Sequence, residues 1–206
     1  MSAPSTARVS FWFEFASTYS YLSAFRIETL ARAAGVTVDW RPFLLGPIFR
    51  AQGWTTSPFN IYEAKGAYMW RDIERLCAAR GLRFRRPEFF PQNSLMAARV
   101  ALAALDHPQG ATFCRTVFSA QFGDGADISD AAVLADCLQS AGLDPTLVGA
   151  AQEPRIKSAL RAGTEAAQRH GIFGAPSFLA GGELFWGDDR LEQAIAWAAS
   201  SGKSAV

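Results

Sequence analysis

Along residues 8–15, apolar Val9, Phe11, Phe13 and Phe15 alternate with Ser10, Trp12 and Glu14, the period of a β-strand with one face toward a core. The spacing then changes. Beyond Ser17, residues Tyr21, Leu22, Phe25, Ile27, Leu30 and Ala34 fall mainly on one helical face, and Gly35 is a natural stop. The stretch 36–43, "VTVDWRPF", predicts a second strand with Pro42 near its end, so the chain opens as a β-α-β unit. Residues 44–60 contain two glycines and two prolines and predict a long connection.

A helical period then dominates, with helices expected near 61–80, 92–106, 109–122, 129–141 and 153–170; Pro108, Ser129 and Pro154 mark plausible starts. Strand patterning returns at 176–180 ("PSFLA"). A Gly181-Gly182 turn leads into 183–186 ("ELFW"), which is a hairpin signal. Asp188 and Asp189 follow, where a helix N-terminus favours negative charge, and Leu191, Ile195 and Ala198 give that helix a buried face. The order β-α-β, helical block, β-β-α predicts an α/β fold. It is a thioredoxin-like domain over 1–60 and 171–206, interrupted by an all-helical insertion over 61–170.

Composition narrows the function classes. Half of the 206 residues are apolar and 13% are aromatic, enough for a real core. A formal charge of +1 offers no global field for nucleic acid or an anionic membrane. No uninterrupted apolar run approaches the roughly 18 residues a membrane span needs. Arg83, Arg85 and Arg86 form the sharpest basic run and read as a solvated loop. The opening "MSAPSTARVS" has no apolar stretch after a positive region, so no secretory signal is expected. Cys77, Cys114 and Cys137 are scattered, with no CxxC and no histidine cluster, which supports neither redox pairing nor a metal site. They read as small apolar residues packed in helices. A soluble, cytoplasmic protein is the simplest expectation.

Thioredoxin-like domains do their chemistry where the first strand meets the first helix, because free N–H groups and a partial positive charge there stabilise a thiolate. Here that joint reads "ASTY" (16–19), so dithiol exchange from it is chemically impossible. Ser17 remains. It is an N-cap on one reading, and on another a hydroxyl that donates to the thiolate of a second molecule. A serine nucleophile lacks the G-x-S-x-G elbow, and only His107 and His170, each at a turn or helix end, could serve as base. The second feature is "GAPSF" (174–178). An X-Pro bond at the start of the third strand of such a domain is expected to be cis. That arrangement leaves the Ala175 backbone free to pair with a peptide-like ligand, and glutathione is one that brings its own thiol.

The segments "FEFASTYSYL", "FLLGPIF", "AKGAYMWRD", "FPQNSLMAARVAL", "HGIFGAPSF" and "FWGDDRLE" resemble, in this order, those of the 2-hydroxychromene-2-carboxylate isomerases. These are bacterial relatives of the kappa-class glutathione transferases, and the resemblance runs over about residues 8–199. It implies a glutathione-dependent interconversion of 2-hydroxychromene-2-carboxylate, a small aromatic carboxylate, with its ring-opened form, trans-o-hydroxybenzylidenepyruvate. Two alternatives are a transferase that leaves the thiol attached and a non-catalytic glutathione-binding module. The resemblance also implies a homodimer. It places Ser17 against the glutathione sulfur and makes Lys65, Ala175, Pro176, Asp188 and Asp189 glutathione contacts. Trp54 and Asn93 fall on the second-substrate side. Three departures stand out. Glu14 and Thr18 replace the usual aspartate and proline, Trp54 replaces an asparagine that contacts glutathione, and Asp188 replaces a small or neutral residue.

Overall fold

The structure, a computed structural model, describes residues 7–201, so most of the opening segment where no secretory signal is expected lies outside the described residues. Strand β1 (Arg8–Phe13) is central in a sheet of order β2-β1-β3-β4. It pairs in parallel with β2 (Thr37–Pro42), from Arg8 opposite Thr37 to Phe13 opposite Pro42. On its other edge it runs antiparallel to β3 (Ser177–Ala180), with Val9 opposite Ala180 and Trp12 opposite Ser177. Strand β4 (Glu183–Trp186) closes the terminal hairpin. A parallel pair needs a crossover. Here it is two helices rather than one, α1 (Thr18–Ala24) and α2 (Ile27–Ala33), with the break at Phe25–Arg26.

The expected connection over 44–60 is in fact partly helical. It contains α3 (Leu45–Ala51) and α4 (Pro58–Ile61). Ser57 starts α4 by accepting the Phe59 N–H at 3.3 Å, with Pro58 in the first helical position where its missing N–H costs nothing. For α3 the reason is tertiary: Ile48 is buried with Trp12, Phe43, Ala167 and Ile172, and that packing overrides the breakers around it.

The helical block holds α5 (Glu63–Ala79), α6 (Leu95–Ala104), α7 (Gly110–Phe118), α8 (Ala131–Ser140) and α9 (Pro154–Arg169). Helix α7 runs on as a π-turn over Ser119–Gly123. A 3-10 segment, Pro145–Gln152, was not signalled by the helical period; Asp144 caps it, accepting the Thr146 N–H at 2.9 Å. After β4, a short turn over Asp188–Arg190 leads into α10 (Leu191–Ser201).

One hydrophobic cluster runs from the sheet into the helical block. Phe15 meets Phe118 at 4.9 Å between ring centres, and Phe11 stacks on Phe178 at 5.5 Å. Each such buried ring contributes about 1.5–3 kcal/mol. The face of β1 opposite Val9, Phe11 and Phe13 is graded, with Arg8 exposed, Ser10 half-buried and Trp12 buried. Glu14 is buried as well, because helices and loops cover both sides of this central strand toward its end. The cysteines are free and buried in α5, α7 and α8. Burial pushes the Cys77 and Cys137 thiols up to about 11, and Cys114 is raised too. The basic run is an exposed loop, tied down by Arg83 on Asp124 at 2.5 Å and Arg86 over the Trp70 ring at 4.6 Å. Among the described residues, no helix is long and apolar enough to cross a membrane.

Candidate functional site

The site begins where β1 ends. A turn carries the chain from Glu14 to Ser17, closed by the Ser17 N–H donating to the Glu14 carbonyl at 3.0 Å. Ser17 has extended backbone (φ −95°, ψ 116°) and caps α1, its Oγ accepting the Ser20 N–H at 3.2 Å. The same hydroxyl donates to the Ala175 carbonyl at 2.9 Å. One side chain therefore joins the strand–helix joint to the segment before β3.

That segment is held from both sides. The Ala175–Pro176 bond is cis, as the sequence led us to expect. Ser177 Oγ donates to the Gly174 carbonyl at 2.8 Å, and the Gly187 N–H donates to the Pro176 carbonyl at 3.0 Å. A Cβ at 174 would stand 2.4 Å from Trp186 Nε1, so a larger residue there would displace the indole. Phe173 and Trp186, both about half exposed, lie 4.8 Å apart beside it. The expectation that Ala175 leaves its whole backbone free needs correcting. Its carbonyl takes the Ser17 hydroxyl, whereas its N–H has no backbone partner among the described residues.

Asp188 and Asp189 diverge. Asp188 is buried and already spent. It accepts the Ser23 hydroxyl at 2.9 Å and pairs with Arg80 at 2.7 Å and Arg26 at 3.4 Å. Asp189 is exposed, and among the described residues its ion-pair partner is Arg190 at 3.6 Å. Gly187 makes the divergence possible: its φ is 108°, and a Cβ there would stand 2.5 Å from Asp189 Oδ1.

Lys65 is exposed in the first turn of α5, its ammonium 5.7 Å from the centre of the Phe59 ring. Phe59 in turn packs on Tyr19, 6.5 Å between centres, so Lys65 is linked to α1 through two rings. Trp54 packs on Phe49 at 5.6 Å. Asn93 Oδ1 accepts the Leu95 N–H at 3.1 Å, placing Asn93 at the start of α6. The structure thus brings Ser17, Ala175 and Pro176 together and sets Asp188 and Asp189 next to Pro176 through Gly187, while no contact joins Trp54 or Asn93 to these groups among the described residues.

Two groups escaped sequence reasoning. Glu14, singled out in the sequence only as a departure from the family's aspartate, is buried three residues before Ser17. Its carboxyl accepts the Ser94 hydroxyl and the Phe15 and Ala16 N–H groups, yet burial still lifts its pKa to about 7. The available signal was an acid flanked by phenylalanines in the first strand of a β-α-β unit, which is usually central. Tyr19 donates to Asp72 at 3.0 Å; burial, then that contact, raise its pKa and keep it a neutral donor. Among the described residues, no group of three or more His, Cys, Asp or Glu is placed to hold a metal ion.

Known proteins can be set beside this geometry. The chain is 29% identical over 188 residues to the 2-hydroxychromene-2-carboxylate isomerase of Sphingobium xenophagum, covering 91% of this chain and 95% of that one. It is 26% identical over 207 residues to human glutathione S-transferase kappa 1, covering 92% and 89%. Its fold superposes on a solved 2-hydroxychromene-2-carboxylate isomerase with a TM-score of 0.84 at 24% identity, covering 97% of this chain and 99% of the other. The resemblance read from the sequence segments is thus met by full-length relatives. The DSBA-like thioredoxin domain model matches residues 8–195, nearly the whole chain, and the protein belongs to that family.

Proposed function

We propose that the protein is a glutathione-dependent isomerase that interconverts 2-hydroxychromene-2-carboxylate and trans-o-hydroxybenzylidenepyruvate. One observation carries the reading. The Ser17 hydroxyl sits at a helix start, 2.9 Å from the Ala175 carbonyl, where a thiolate would be stabilised and the chain has no thiol to put there. Its own cysteines are buried and hard to ionise. The sulfur must come from outside, and the relative named a glutathione transferase supports glutathione as its source.

The groups present fit that ligand. The unpartnered Ala175 N–H and the adjoining carbonyl offer a donor and an acceptor to the cysteinyl amide. As the carbonyl takes the ligand's N–H, the Ser17 hydroxyl is released to donate to sulfur. Lys65 offers an ammonium to a ligand carboxylate, and exposed Asp189 offers a carboxylate to the γ-glutamyl ammonium. Asp188 holds the turn that aims Asp189, because its own charge is already met by Arg26 and Arg80. When bound, glutathione would supply a thiolate able to add reversibly to the conjugated double bond of the open ketoacid, which is the chemistry a cis–trans interconversion needs. Ser17 and the free N–H groups of the first turn of α1 lower the pKa of that thiol.

The deciding assay follows hydroxychromene carboxylate with and without glutathione in the purified protein. Conversion that needs glutathione and regenerates it is expected; conversion without glutathione, or none with it, overturns the reading. A second reading, a transferase that keeps the thioether, is favoured by the human relative and uses the same groups. A glutathione conjugate of a chloro-nitro aromatic, detected by mass spectrometry in place of isomerised product, would establish it. Both readings place the protein in the reducing cytoplasm as a homodimer, which sedimentation would test.

A further inference from the structure

Val9, Phe11 and Phe13 pack into the main core, so Arg8, Ser10 and Trp12 face the other side of the sheet. At the Trp12 end that side is covered by Phe43, Ile48, Ala167 and Ile172. Toward the start of β1 the cover stops, and a groove of about 500 Å3 opens over Ser10, Trp12 and Leu179. Its rim is basic. Arg8 is exposed, and among the described residues no carboxylate pairs with it. Arg41, also exposed, stands on β2 opposite Trp12. His170, at the end of α9, sets its ring 5.9 Å from the Trp12 ring. Asp39 is the acid beside this rim. It stands opposite Ser10 and accepts Arg41 Nε at 2.8 Å, so its charge is met.

The groove also offers donors that the fold itself leaves unused. Val9 lies opposite Ala180, which puts Arg8 beside the Gly181-Gly182 turn. Both glycines have positive φ, 56° and 86°, and neither N–H has a backbone partner among the described residues. Successive N–H groups in such a turn make an anion-binding concavity. On the floor, Trp12 Nε1 is buried without a hydrogen-bond partner, and Ser10 adds a hydroxyl. A carboxylate would satisfy one guanidinium. Two guanidiniums, a hydroxyl and a pair of N–H groups suit a phosphate dianion, whose acceptor oxygens point in several directions. Leu179, the Trp12 indole and the His170 ring give the rest of the groove apolar and planar surface. Its volume lies in the range of about 300–1,000 Å3 in which small-molecule sites fall.

We propose that this groove binds a nucleotide-sized phosphate monoester, with the phosphate between Arg8, Ser10 and the glycine turn and a planar body over Leu179 beside His170. Ser17 follows the opposite end of β1, so the site is separate from the joint and does not rest on the function proposed above. Calorimetric titration of AMP tests it, with adenosine and inorganic phosphate as controls. AMP is expected to bind about tenfold more tightly than either control, or better. Arg8→Gln, at an exposed position that leaves the core intact, should weaken AMP about tenfold while adenosine stays within about twofold. Asp39→Asn, which frees Arg41 from its carboxylate, should tighten AMP about threefold, a gain that a damaged fold does not produce. No AMP binding to the wild type, equal binding to Arg8→Gln, or adenosine bound as tightly as AMP would overturn the site. Inorganic phosphate bound as tightly as AMP would overturn the planar body. A change of oligomeric state in Arg8→Glu, with no AMP binding to the wild type, would assign the groove to a second copy of the chain and overturn the ligand altogether.

Discussion

Ser17 has one hydroxyl proton and two uses for it. Without a ligand it goes to Ala175, and the oxygen caps α1. Ser17→Ala removes both, so a loss of about 1 kcal/mol in stability is expected from the cap alone. If the hydroxyl also serves the glutathione sulfur, the variant must in addition show a raised pKa for the bound thiol and depressed turnover, most visibly near neutral pH. Thiolate absorbance against pH separates the two roles; an unshifted profile with normal turnover would confine Ser17 to capping. Glu14 makes a different kind of demand. Its folded pKa of about 7 lies above the ordinary 4.5. Between those pH values the folded chain holds a proton that the unfolded chain has lost, so this group's contribution to stability falls as pH rises from about 4.5 to about 7 and is level beyond. The loss is on the order of 3 kcal/mol. Glu14→Gln, which can keep the Ser94 contact without a charge, should match the wild type near pH 4 and exceed it in urea midpoint at pH 8. Equal midpoints at both would show that Glu14 ionises without difficulty.

At the level of elements, adjacent aspartates separate holding a turn from holding a ligand. Asp188 ties α1 through Ser23, the α1–α2 break through Arg26 and the end of α5 through Arg80. Removing it leaves two guanidiniums facing each other in partly buried surroundings. Asp188→Ala should therefore lower stability by about 2–3 kcal/mol, less than a fully buried pair because both arginines reach water. Asp189→Ala should stay within about 0.5 kcal/mol of the wild type in thermal melts. It should weaken glutathione binding in titration while turnover at saturating glutathione changes little. If Asp189→Ala binds glutathione normally, the γ-glutamyl end is held elsewhere.

For the whole molecule, the distribution of sulfur is the distinguishing feature. A DSBA-like fold ordinarily invites a redox assignment, but Cys77, Cys114 and Cys137 are enclosed in the shared core. The native protein should leave all three thiols unreacted with an aromatic disulfide reagent at pH 8, and denaturation should release three equivalents. Fast reaction of any one in the native state would contradict its burial. The same core is continuous from sheet to helical block, and Ser94 at the start of α6 donates to Glu14 beside the joint.

Element type and order were legible along the chain because they rest on local periods. Alternation gave β1, the helical stripe gave α5 to α10, and the paired glycines gave the β3–β4 turn. The joint at Ser17 and the loop at Ala175–Pro176 were legible for the same reason, each being a short segment at an element boundary. The partners of those segments were not. That Ser17 donates to Ala175, 158 positions away, depends on how the sheet closes. That Asp188 is consumed by Arg26 and Arg80 depends on three helix ends converging. Burial on both sides at the end of β1, which gives Glu14 a pKa near 7, depends on what packs above and below the strand. Local sequence carries a residue's own preference, whereas solvation, charge and hydrogen-bond supply are set by neighbours distant in the chain, and only the assembled fold brings those neighbours within reach.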